Sequence, residues 1–104
     1  MKILVSTDNH IDGSDSLSSR IEAIVEDTLS RFADRVTRVE VHLSDETSAA
    51  KGGEDKRCLL EVRLAGMQPV SVSNLSDSLL ESVSGAARKA ETLLDRTLGK
   101  RSGR

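Results

Sequence analysis

The apolar residues of this chain keep helical spacing from Leu17 through Ile21, Ile24, Val25 and Leu29 to Phe32, then switch to strict alternation at Val39, Val41 and Leu43. A period near 3.6 marks an amphipathic helix, and a period of two marks a half-buried strand. Only Ala33-Asp34-Arg35-Val36-Thr37 lies between the two patterns. A connection that short folds the helix back beside the strand it precedes, so the two apolar faces share one core.

The flanking segments complete the layout. Residues 2–6 read as a strand with Ile3 and Val5 on one face, followed by the turn-rich Asp8-Asn9-His10-Ile11-Asp12-Gly13. Ser14 is placed to cap the first helix, and Asp15 suits its positive start. After a second strand over 36–44, the charged and Gly-containing stretch 45–55 reads as a solvated loop. A third strand over 56–64 directs Cys58, Leu60, Val62 and Leu64 inward and Arg57, Leu59, Glu61 and Arg63 outward. Ala65-Gly66 reverses the chain into a fourth strand over 68–73, where Pro69 lacks a ladder donor and so marks a sheet edge. A second helix is expected from near Ser76, with Leu75 and Leu80 as a hydrophobic staple and Gly99 as its end. Its buried face is Leu79, Val83, Ala86, Ala87, Ala90, Leu94 and Leu98.

A helical crossover between the first two strands makes them parallel, and the remaining short connections suit antiparallel neighbours. Each strand supplies only one apolar face, so both helices must cover the same side. The expected fold is α+β: a two-layer β-α-β-β-β-α sandwich whose four-stranded mixed sheet keeps one face open. At 104 residues this is one domain over 1–99 with a basic tail over 100–104. Neither a signal peptide nor a membrane-spanning run is expected, and the single cysteine, Cys58, cannot form an internal disulfide. A cytoplasmic protein is the expectation.

The net charge of −2 hides an asymmetry: residues 1–87 carry 9 basic and 15 acidic side chains. Residues 88–104 carry Arg88, Lys89, Arg96, Lys100, Arg101 and Arg104 against only Glu91 and Asp95. A basic pole of this kind fits a polyanionic partner, and it equally fits cations offsetting the dipole of a helix end.

Several segments carry a family likeness: Ile3 to Val5 followed by His10-Ile11; Leu29-Ser30-Arg31-Phe32-Ala33-Asp34-Arg35-Val36; Glu61-Val62; and Val83-Ser84-Gly85-Ala86-Ala87-Arg88-Lys89-Ala90. In their order and spacing these resemble the ribosome hibernation promoting factors, the family that includes the ribosome-associated inhibitor and the sigma-54 modulation proteins. The resemblance covers essentially the whole chain. It implies the same element order and a protein that binds the small ribosomal subunit where messenger and transfer RNA sit, blocking translation under stress. With no further domain after the second helix, the resemblance is to a short-form factor.

On a helical wheel of the second helix, Ser78, Ser82, Gly85, Lys89, Arg96 and Lys100 share one flank beside the apolar face, and no acidic residue interrupts it. The wheel alone leaves two readings open: a solvated flank whose cations snorkel over the core edge, or a grip on folded RNA in which small residues admit the backbone and cations neutralise it. The resemblance favours RNA. It puts Lys89 first, on the lysine of the family's Ala-Ala-x-Lys pattern, with Arg96 and Lys100 beside it. Arg57, Lys56, Arg20 and Arg88 are supporting candidates. Arg31, four residues after Asp27, is expected to form a helical ion pair with it.

Other chemistries find little support. The only aromatic is Phe32, on the core stripe, so no platform exists for stacking bases. Cys58 is expected in the core and His42 on the open face, which separates a nucleophile from its base. Asp8-x-His10-x-Asp12-Gly13 imitates a calcium loop, but its twelfth position is Ser19 rather than glutamate. The two histidines and nearby aspartates lack metal-ligand spacing. No cofactor, metal or enzymatic activity is expected. The competing expectation is a non-catalytic interaction module, a weak homodimer through the open sheet face around Leu4, Leu59 and His42.

Overall fold

A computed structural model of the chain describes residues 1–8, 14–45 and 56–101, Lys100 and Arg101 only as helical positions. The elements are β1 (Lys2–Thr7), α1 (Asp15–Thr28), a 3-10 turn (Ser30–Phe32), β2 (Val36–Asp45), β3 (Lys56–Leu64), β4 (Val70–Ser76) and α2 (Leu79–Arg101). The strands lie in the sheet in chain order, β1-β2-β3-β4. β1 and β2 are parallel, and the other two pairs are antiparallel. The α+β order expected from the periodicity is therefore the one found.

Alternation dictates which face is dry. Val39, Val41 and Leu43 of β2 and Cys58, Leu60, Val62 and Leu64 of β3 are buried together with Ile21, Val25 and Leu29 from α1. The same cluster takes in Val83, Ala86, Ala87, Ala90, Leu94 and Leu98 of α2, so both helices close on one side of the sheet. Ser14 caps α1 as expected, its Oγ accepting from the Leu17 amide at 3.1 Å. Phe32 reaches the core from the 3-10 turn rather than from the helix itself.

The main differences from expectation are at the ends of β4 and α2. β4 starts at Val70, after Pro69, and continues through Ser76, because Leu75 and Ser76 still pair with Arg57 and Lys56 of β3. The sheet ladder therefore claims residues assigned to the start of the helix. α2 begins at Leu79, three residues later, with Ser78 Oγ accepting from the Glu81 amide at 3.4 Å. The Leu75–Leu80 staple is not formed: Leu75 belongs to the open face of β4 and is 47 % exposed. At the other end α2 runs past Gly99 to Arg101. Gly66 is the one glycine with positive φ among the described residues, +72°, and it makes the reversal between β3 and β4.

The turn-rich segment 9–13 with His10, the loop over 46–55 with Gly52 and Gly53, and the end of the tail lie outside the described residues. Among the described residues no helix is long and apolar enough to cross a membrane.

Leu60 is fully buried at the centre of the sheet, facing both helices' side. Leu60→Ala removes that contact and leaves a cavity, so urea denaturation should show a loss of about 2–5 kcal/mol.

Candidate nucleic-acid interface

The expected cationic flank of α2 is built against the free edge of β4. Lys89 Nζ donates to the Ser73 carbonyl of β4 at 2.9 Å, so its charge stands at the sheet's rim. Arg96, seven residues on and two turns along, is exposed and makes no hydrogen bond or ion pair among the described residues. Lys100, four residues further, continues the same backbone flank, and its side chain lies outside the described residues.

The small residues of that flank serve a different purpose from the one expected. Ser82 is fully buried, its Oγ donating to the Leu79 carbonyl at 2.6 Å. Gly85 faces Asn74 of β4 so closely that a Cβ would overlap the Asn74 amide. Asn74 Nδ2 in turn donates to the Ser82 carbonyl at 3.4 Å. Helix and strand thus approach backbone to side chain. The gap is filled by protein rather than left for a phosphate.

Beside this contact lies an open groove of about 710 Å³ lined by residues of β4 and α2, among them Ser76, Ser84, Arg88, Lys89 and Thr92. Arg88, which the wheel turns away from the flank, lines the groove with Lys89, and its guanidinium has no partner among the described residues. Glu81 lines the groove as well, and its Oε1 accepts from Ser76 Oγ at 3.5 Å.

α2 separates its charges around its axis. Two of its three acidic residues, Glu91 and Asp95, turn toward the end of α1, where Arg31 lies 3.7 Å from one and 3.2 Å from the other. The expected Asp27–Arg31 pair is absent among the described residues. α1 ends at Thr28, and Arg31 in the 3-10 turn sits over the Phe32 ring, 4.7 Å from its centroid. With those two carboxylates facing Arg31, the Arg88, Lys89 and Arg96 side makes no ion pair among the described residues, and Glu81 is the acidic residue that lines the groove.

The supporting candidates are not gathered into this patch. Lys56 is opposite Ser76, near the groove, but its ammonium lies 3.4 Å from Asp45. Arg57 lies on the open sheet face, opposite Leu75. Arg20 is exposed on α1 and does not line the groove. The core thiol and the open-face imidazole are separated as expected: Cys58 is fully buried, and burial raises its pKa from 9.0 to about 12. Sequence reasoning missed Asn74, and it had named Arg88 only as a supporting candidate turned away from the flank. The signal for Asn74 was present, since the inward positions of β4 change from Val70 and Val72 to Asn74 and Ser76.

The sequence model of the family described as "Sigma 54 modulation protein / S30EA ribosomal protein" matches residues 4–102. The chain belongs to this family. The family is ribosome-associated and non-catalytic, which joins this member to translation regulation and excludes the enzyme readings. Two solved structures have the same fold. The Protein Y N-terminal domain of Thermus thermophilus is 23% identical with a TM-score of 0.73, over 93% of this chain and 99% of that one. A ribosomal subunit interface protein from Coxiella burnetii is 20% identical with a TM-score of 0.72, over 95% and 99%. A comparison with curated proteins gives no match.

Two experiments probe this member's geometry. Gly85→Ala should destabilise the native protein by about 1 kcal/mol or more through the clash with Asn74. In an Asn74→Ala background the same change should stabilise by about 0.5–1 kcal/mol, because only the helix propensity of alanine remains. Equal effects in both backgrounds would refute the contact. For Cys58, the folded thiol should resist a disulfide reagent at pH 8 and react on denaturation. A thiol whose folded pKa is raised favours folding fully below its ordinary 9.0, so stability should fall as pH rises from there toward 12.

Proposed function

We propose that this chain is a hibernation-type inhibitor of translation, binding small-subunit ribosomal RNA at the messenger and transfer RNA site. Family membership supports association with the ribosome. The observation that carries the finer reading is the charge separation on α2: Glu91 and Asp95 are engaged by Arg31, while Arg88, Lys89 and Arg96 stand on the remaining surface, and Lys100 follows at the next turn of the helix backbone. Such a surface meets phosphates by shape and charge, with no aromatic stacking. Lys89, Arg96 and Lys100 are the principal contacts, Arg88 joins them through the groove, and Arg57, Lys56 and Arg20 stand in support. Occupancy excludes messenger and transfer RNA, and the work is cytoplasmic.

The other reading, a weak homodimer through the open sheet face, has less to support it. Leu4 and Leu75 are exposed there, but they lie on β1 and β4 at opposite edges of the sheet, with Arg38, Glu40, Glu61 and Arg63 on the two strands between, so little continuous apolar surface is offered.

Co-sedimentation with small subunits tests the proposal. If three phosphates are neutralised, affinity should fall roughly twenty- to fortyfold between about 50 and about 200 mM salt. Replacing Lys89, Arg96 and Lys100 together by glutamate should abolish binding. The Lys89–Ser73 hydrogen bond is worth only about 0.5–1.5 kcal/mol, so circular dichroism should still report the native fold. Unchanged binding by the folded triple variant would overturn the assignment.

A further inference from the structure

The open face of the sheet, on the side away from the helices, carries a second constellation that the ribosome reading does not use. Glu40 and His42 of β2 are two residues apart and so point the same way, and Glu61 of β3 is directly opposite Glu40. His42 Nε2 lies 3.4 Å from Glu40 Oε1 and 4.0 Å from Glu61 Oε1, and the three donor atoms all lie within 4.8 Å of one another.

From this geometry we infer that Glu40, His42 and Glu61 form a binding site for a late first-row divalent cation of the Zn²⁺ type. Ligand atoms around tetrahedral zinc, each about 2.0–2.2 Å from the ion, stand roughly 3.4 Å apart, so modest side-chain rotations close this set onto a metal. One imidazole with two carboxylates suits zinc and its neighbours, whereas magnesium and calcium call for oxygen alone. Three protein ligands leave a fourth position for water or for a donor from another molecule.

Glu40 is held as a metal-ligating carboxylate is commonly held. Its Oε2 faces Arg38 at 2.9 Å and Arg63 at 3.9 Å, which fixes the group while Oε1 turns to His42. The cross-strand register supplies an independent reason for a cation. Two glutamates directly opposite each other repel, and among the described residues the two arginines engage only Glu40, leaving Glu61 with the more distant His42. A dication between the two carboxylates turns that repulsion into attraction. Cys58, the neighbouring metal-binding side chain of β3, points into the core and takes no part.

Isothermal titration of the full chain with Zn²⁺ alone, and with Mg²⁺ as control, tests the site. One Zn²⁺ per chain should bind and raise the melting temperature, while Mg²⁺ does neither. His42→Ala and Glu61→Gln should each weaken binding by about tenfold or more, whereas His10→Ala leaves it unchanged. Both altered side chains stand on the open face, so circular dichroism should remain native for each. Failure of the intact chain to bind Zn²⁺, or binding that His42→Ala and Glu61→Gln leave unaltered, overturns the inference. Neither result bears on the ribosome reading, whose contacts include neither Glu40, His42 nor Glu61.

Discussion

The close seating of α2 on β3 and β4 is the constraint on which the rest of the molecule depends. Ala86, Ala87 and Ala90 present so little bulk that the helix backbone comes down onto the sheet, and Gly85 completes the approach over Asn74. That seating decides where every other residue of the helix points. Leu94 and Leu98 continue the core, Glu91 and Asp95 are turned toward Arg31, and Lys89 reaches the carbonyl of Ser73 at the sheet's rim. The same packing that stabilises the fold thus turns Glu91 and Asp95 of α2 toward Arg31 and leaves Arg88 and Lys89 on another side, at the groove they share with Glu81.

Most of the architecture was legible because alternation and helical spacing are strong over long segments. β3 occupies the residues its pattern assigned, and Ser14 caps α1 by the bond its position suggested. The errors fell where two local preferences competed. Leu75 and Ser76 resemble the approach to a helix, yet each also completes a pair with β3, and the ladder prevails. Gly99 resembles a helix terminator, but no left-handed turn is made there and the helix runs two residues further.

The candidate surface was legible in part. A helical wheel finds the flank shared by Lys89, Arg96 and Lys100 because that depends on one helix alone. It cannot say what the neighbouring strand does, so the small residues were assigned to an RNA backbone when Asn74 occupies their space. Arg31 was misassigned for a related reason: an i,i+4 pair requires a continuous helix, and α1 ends before Arg31 is reached. Contacts between elements, rather than within them, are what the linear pattern conceals.

Lys89 and Arg96 come to any anion from unequal starting points. The lysine already has an acceptor in the Ser73 carbonyl, whereas the guanidinium has no protein partner among the described residues. Moving the ammonium to a phosphate oxygen trades one acceptor for another and hands a bare carbonyl on the outermost strand back to water. The arginine surrenders nothing but its hydration shell. The nominally central lysine is therefore the more conservative contributor, and its tether to the strand joins the grip on a ligand to the integrity of the sheet's last edge.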